Sequence, residues 1–249
     1  MPLPRVHIEN LSLQYHGNSV LSLNDVSLAI QSQEIFGILG PNGAGKTTLI
    51  SILCGILKPT SGSFSYHIDS NMVTGNEIKE HIGYVPQDFA FYEELTPTEN
   101  LAFFGAMYNL SKSEIETQSN KLLEILGLTS VANKKVETFS GGMKRRINLA
   151  IGVLHQPKIL FLDEPTVGVD VQSKRAIFNF LKQENKNGTT IIYTSHNMKD
   201  VEDFCTQIAL IDFGKIIEYG ELQTVLKNQN AETLEDLFIA KTGESYRDV

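Results

Sequence analysis

Glu34-Ile35-Phe36-Gly37-Ile38-Leu39-Gly40-Pro41-Asn42-Gly43-Ala44-Gly45-Lys46-Thr47-Thr48 decides how this chain is read. The first six residues form a nearly continuous apolar run, short enough for a strand buried on both faces. The next eight fit G-x-x-x-x-G-K-[ST], and a helical pattern follows them. Strand, glycine loop and helix in that order predict a phosphate cradle. Glycines let backbone N–H groups approach an anion with no Cβ in the way, and the helix starting near Lys46 turns its positive end toward that anion. Lys46 is suited to neutralise the β- and γ-oxygens of a nucleoside triphosphate, and the Thr47 hydroxyl to ligate Mg²⁺. The expected nucleotide-binding set here is Gly40, Pro41, Asn42, Gly43, Ala44, Gly45, Lys46, Thr47 and Thr48.

Further along, the apolar runs Lys158–Leu162, Thr189–Thr194 and Ile208–Ile211 recur with helical patterns between them. That alternation predicts an α/β core built on a mainly parallel sheet. Asp163 and Glu164 end the 158–162 run. Asp163 is expected to hold Mg²⁺, and Glu164 to act as the base that polarises the attacking water. Residues 5–31 alternate more, with Val20, Leu21, Leu23, Val26, Leu28 and Ile30, and predict an antiparallel edge sheet. Between about 88 and 157 the periodicity becomes helical. Thr96-Pro97-Thr98-Glu99 is a capping box with Pro at N1. A second helix covers about 112–126 and stops at Gly127. A third starts at Ser140 and ends before Pro157, with Met143, Ile147, Ile151 and Leu154 on one face. The expected organisation is a single domain over 1–220. Its α/β lobe is 1–87 and 158–220, with a helical subdomain at 88–157. A helical tail follows at 221–249, its last helix capped at Thr233. Asp212-Phe213-Gly214 reads as a hairpin turn.

The chain has 249 residues, 41% of them apolar, and a formal net charge of −8. It is long enough to bury a large core without staples. The acidic balance disfavours nucleic acid as a partner. The cysteines, Cys54 and Cys205, are far apart, with no disulfide or metal-ligand spacing. His7, His16, His67, His81 and His155 show no ligand spacing either. Met1-Pro2-Leu3-Pro4-Arg5 has no apolar leader pattern, and the longest apolar stretch, Thr48–Leu57, falls far short of a membrane span.

Phe139-Ser140-Gly141-Gly142-Met143-Lys144-Arg145-Arg146 sets up a second anion site. Ser140 is a plausible N-cap, and two glycines bare the helix's first N–H groups. One chain has no second phosphate to give it, so it is expected to cap the γ-phosphate held by another copy. Lys144, Arg145 and Arg146 oppose the helix dipole there, which points to service to an anion. The alternative is a solvated basic face. Phe103-Phe104…Met107-Tyr108 reads as core or interlobe packing, or in part as a groove for a partner helix.

Over nearly its whole length the sequence resembles the ATP-binding subunits of ABC transporters. The residues that carry the resemblance are the P-loop at 40–47, Gln87 in Tyr84-Val85-Pro86-Gln87, Ser140-Gly141-Gly142, Ile159–Pro165, Asp170 in Val167-Gly168-Val169-Asp170, and His196. The resemblance implies a P-loop NTPase fold with ATP and Mg²⁺ as cofactors. It implies that Thr47, Gln87 and Asp163 attend the metal, that Glu164 is the general base, and that His196 contacts the γ-phosphate. Asp170 would couple two sites across a dimer, and Tyr15 would stack on adenine. Phe139 and Met143 stand where the family's commonest signature has Leu and Gln. Phe139–Arg146 and Phe91–Asn100 look like the branch of drug-resistance and ABC-2-type exporters. The implied protein is a motor subunit with a second ATP-binding copy, driving a separately encoded permease at the cytoplasmic face of the membrane. An import motor, or a non-transport relative acting on nucleic acid or ribosomes, remains the alternative.

Overall fold

The computed structural model describes residues 5–69, 71–73 and 75–243. The start at Met1–Pro4 and the end of the expected tail, 244–249, lie outside these. In chain order the strands are β1 (Val6–Leu13), β2 (Leu23–Ile30), β3 (Ile35–Leu39), β4 (Ser61–Ile68), β5 (Asn71–Val73), β6 (Ile82–Val85), β7 (Ile159–Asp163), β8 (Thr190–Ser195), β9 (Gln207–Asp212) and β10 (Lys215–Glu221). The helices are α1 (Lys46–Leu53), α2 (Pro97–Met107), α3 (Lys112–Ile125), α4 (Gly141–Val153), α5 (Val171–Lys186), α6 (Met198–Phe204), α7 (Leu222–Asn228) and α8 (Leu234–Thr242).

The chain divides into two compact units. One runs to Ile78 and resumes at Thr190; the other is Lys79–Thr189. In the first, β2-β1-β4-β5 form an antiparallel sheet. β1 and β2 alternate between buried and open positions, the pattern of a sheet with one covered face. Val20, grouped above with this alternation, lies before β2 and is 72% exposed. The same unit holds the run β10-β9-β3-β8, with β3 parallel to both β9 and β8. All residues of β3 and β8 are buried, which is why their sequences do not alternate. Phe213 and Gly214, both at positive φ, turn β9 into β10 as the hairpin reading expected. The tail forms α7 and α8, and α8 starts with the capping box at Thr233.

In the second unit β6 and β7 pair in parallel. The Thr96 capping box is present, with Glu99 N donating to Thr96 Oγ1 and Thr96 N to Glu99 Oε2. α3 stops at Gly127, whose φ is 66°. α4 lies directly on β6 because both carry glycine at the contact. A Cβ on Gly83 would sit 2.2 Å from Gly152 O, and one on Gly152 would sit 2.4 Å from Val85 Cγ2. This unit holds β6, β7 and α5 together with α2, α3 and α4.

Candidate nucleotide-binding and catalytic site

The P-loop leaves β3 at Gly40 and enters α1 at Lys46. Gly45 is the N-cap at φ 109°, and α1 has no side-chain cap. A side chain there would be strained, and its Cβ would meet Ser22 O at 2.7 Å. Lys46, 5% exposed, donates from Nζ to Gly40 O at 2.8 Å and Pro41 O at 3.2 Å. The ammonium is thereby held inside the loop that it serves. Asn42, Gly43 and Thr47 face the surface. Tyr15 Oη and Thr48 Oγ1 lie 3.2 Å apart, fixing a part-exposed aromatic ring beside the first turn of α1. β8 lies alongside β3 with Leu39 opposite Ser195, so His196 follows on the strand next to the one that delivers Gly40. The structure thus gathers Tyr15, the P-loop and His196 in the first unit.

A further P-loop support was not read from the sequence. Gly214 N donates to Ala44 O at 2.9 Å, and Asn24 N donates to Gly214 O at 2.8 Å. The β9–β10 turn therefore braces the loop from the side. Periodicity reveals the turn but not the backbone atoms that it meets.

In the second unit Val85 lies opposite Leu162, so Pro86-Gln87 and Asp163-Glu164 leave neighbouring parallel strands at the same end. Asp163 is 1% exposed and Glu164 5% exposed. Glu164 sits at φ 48°, a left-handed conformation that a glutamate adopts only when its surroundings impose it. Ser140 caps α4, its Oγ accepting from Met143 N at 3.3 Å. Asp170 caps α5, accepting from Ser173 N at 2.9 Å. That N–H, with the Ser173 hydroxyl, holds the Asp170 carboxyl below the usual range. Gly142 lies against the same cap, since a Cβ built on it would be 2.7 Å from Ser173 Oγ. Gln87, Asp163, Glu164, Ser140–Gly142 and Asp170 thus share the second unit.

The three basic residues of α4 correct the sequence reading. They neither wait for an anion nor form a solvated face. Lys144 Nζ meets Glu93 Oε2 at 2.7 Å. Arg145, 5% exposed, donates from Nη1 to Gln87 O at 2.8 Å and Pro86 O at 3.2 Å, and its guanidinium lies 4.8 Å from the centre of the Phe89 ring. Arg146 Nη1 donates to Leu126 O at 2.8 Å. Carbonyls and a carboxylate of the same unit hold these cations. Asn148, also missed, donates to Pro86 O and accepts from Ala90 N. The fully buried Asn100 binds Tyr92 through N–H and carbonyl alike. Nothing local in the sequence marks these partners, which lie as far as 62 residues away.

Phe103 and Met107 are 42% and 65% exposed, and Phe103 packs edge-on against Tyr92 at 5.0 Å and Phe104 at 5.3 Å. Tyr108 instead stacks on His155 at 3.8 Å. His155 Nε2 meets Ile82 O, and burial lowers its pKa, a core role. Among the described residues no group of three or more His, Cys, Asp or Glu could cage a metal. The second unit offers the oxygen donors Gln87 and Asp163, and the first offers Thr47, each of a type that a hard cation takes.

A family model described as ABC transporter matches residues 23–167. The chain belongs to the ABC transporter ATP-binding family. It is an ATP-binding ABC ATPase, the motor subunit of a transporter. The linearmycin resistance ATP-binding protein LnrL of Bacillus subtilis is 41% identical over 96% of this chain and 76% of its own length. The ABC transporter ATP-binding protein NatA of the same organism is 33% identical over 89% and 91%. Among solved structures, an ATP-binding subunit of an ABC transporter superposes with a TM-score of 0.84 at 25% identity, over 95% of this ABC ATPase and 99% of that chain. The ATP-binding cassette MJ0796, a dimer in a post-hydrolysis state with ADP and Pi, superposes at 0.77 and 27% identity, over 87% and 98%. Among the described residues no helix is long and apolar enough to cross a membrane.

Proposed function

We propose that this ABC ATPase powers an exporter as a dimer, with two Mg-ATP held between one copy's P-loop and the other copy's Ser140-Gly141-Gly142. The observation that carries the reading is the uncapped start of α1, with Lys46 tied to Gly40 and Pro41. Backbone N–H groups aimed at one point and a preset ammonium are what a triphosphate needs. Tyr15 stacks on the adenine. Thr47, Gln87 and Asp163 would hold Mg²⁺, which would supply positive charge to the triphosphate. Glu164 accepts the proton of the water that attacks the γ-phosphorus in line while the bond from that phosphorus to the β–γ bridging oxygen breaks and ADP leaves, and His196 holds a γ-oxygen. Positioning and electrostatics supply most of the rate.

The resistance role named for LnrL and the exporter-like Phe139–Arg146 segment support export. A separate permease at the cytoplasmic face of the membrane would receive the stroke, with the aromatic surface around Tyr92, Phe103 and Met107 as its docking face. The test is Glu164→Gln. Nucleotide affinity stays within about twofold of wild type, turnover falls by about a hundredfold or more, and light scattering with Mg-ATP shows a stable dimer. Turnover near wild type would remove Glu164 from the base role. A protein that stays monomeric with bound Mg-ATP would overturn the sandwich.

A further inference from the structure

The loop that follows β6 carries Gln87 outward while α4 ties its backbone down. Gln87, Asp88, Phe89 and Ala90 are exposed. Yet the carbonyls of Pro86 and Gln87 are held by Arg145, and Pro86 O and Ala90 N by Asn148. Arg145 and Asn148 are three residues apart and so share one face of α4. Lys144, one position earlier, reaches Glu93 further along the same segment. The helix that grips the loop is the one whose first residues are Ser140, Gly141 and Gly142.

We propose that Arg145 is the positioning residue of the Gln87 loop: its buried guanidinium fixes the Pro86 and Gln87 carbonyls to the signature helix, so that the placement of that helix sets where the Gln87 amide points. This rests on the reading that Gln87 attends Mg²⁺. Folding stability alone does not account for an arginine here. Its Nε is buried with no hydrogen-bond partner, and Asn148 already secures the same segment. An unbranched apolar side chain of similar length would fill the space without burying a charge. One guanidinium nitrogen, Nη1, bonded to two successive carbonyls, with the cation seated over Phe89, is instead the means of holding a backbone at one position. Arg145 does not touch the nucleotide in this scheme. It acts through Gln87.

Two measurements test the proposal on the full chain. Hydrogen exchange without nucleotide reads the tether directly. Arg145→Met raises exchange across residues 87–92 about tenfold or more while α2 is unchanged, and Arg145→Lys gives a smaller rise. Unaltered exchange in Arg145→Met overturns the proposal. Hydrolysis against Mg²⁺ concentration reads the consequence. Arg145→Met raises the half-saturating Mg²⁺ about fivefold and lowers kcat, with the KM for ATP within about twofold, and Arg145→Lys recovers part of the loss. In a Gln87→Ala background the further effect of Arg145→Met stays under about twofold, whereas independent, multiplying effects overturn the proposal. If Arg145→Met does not fold, Asn148→Ala must shift the same exchange segment and the Mg²⁺ dependence in the same direction. No shift in either overturns it. A wild-type chain without turnover would fail the reading in the preceding subsection, and hydrogen exchange would still decide whether Arg145 holds the loop.

Discussion

The start of α1 and the start of α4 both offer glycine-flanked helix N-termini, yet they are built in opposite ways. α1 has a left-handed glycine at its N-cap and no side-chain cap, and its lysine is held within the loop. α4 is capped by its own Ser140, and its cations are bound to neighbouring backbone and to Glu93. The first is a complete anion grip with charge in place. The second offers an anion only backbone dipoles and a hydroxyl, with no charge in reserve. Dipoles of that kind act strongly only where water is excluded. The α4 terminus is therefore suited to a phosphate that another surface already holds and shields.

The largest expected break in this contrast is at Lys46. Lys46→Ala removes the charge from the α1 grip and weakens ATP binding by about a hundredfold or more, close to 3 kcal/mol, read by isothermal titration. Ser140→Arg strikes the other terminus. It lowers turnover by about a hundredfold but leaves the ATP affinity of the monomer within about twofold. An equal loss of monomer affinity would mean that both termini serve one chain's nucleotide. Tyr15→Ala removes the stacking face, and ATP affinity drops about tenfold with kcat little changed. The smallest effect lies outside the two termini. Thr96→Ala removes one capping box, costs about 1 kcal/mol and lowers the melting temperature by about 2–4 °C without altering nucleotide affinity.

The Asp170 cap of α5 adds a pH test. Asp170 is held below the ordinary carboxyl value by Ser173, so its contribution to stability is present above the unfolded-state pKa and is lost as pH falls through the lower folded value. An acid unfolding series should show that loss, and Asp170→Asn should flatten it.

Much of this was legible in the one-dimensional pattern. The buried strands β3, β7 and β8 stand out because unbroken apolar runs mean two covered faces. The boundaries of α2, α3 and α8 stand out because capping residues announce them, and a P-loop announces itself because its chemistry requires fixed spacing. The basic run at 144–146 was misread for the converse reason. A charge in a sequence shows no partner. Lys144–Arg146 look the same whether they await an anion or already hold carbonyls and a carboxylate up to 59 residues away.

From sequence alone came the P-loop spacing at 40–47, the apolar runs that form β3, β7, β8 and β9, the capped starts of α2, α4 and α8, and that Asp163 and Glu164 end or follow a buried strand. Tertiary structure alone decided that Gln87 and Asp163 leave neighbouring strands, that Gly214 braces Ala44, and that Arg145 belongs to the loop after β6. The physical reason is range. Propensity, capping and glycine geometry act within a few residues of chain, whereas a hydrogen bond or a strand register between distant segments exists only after folding has brought them together.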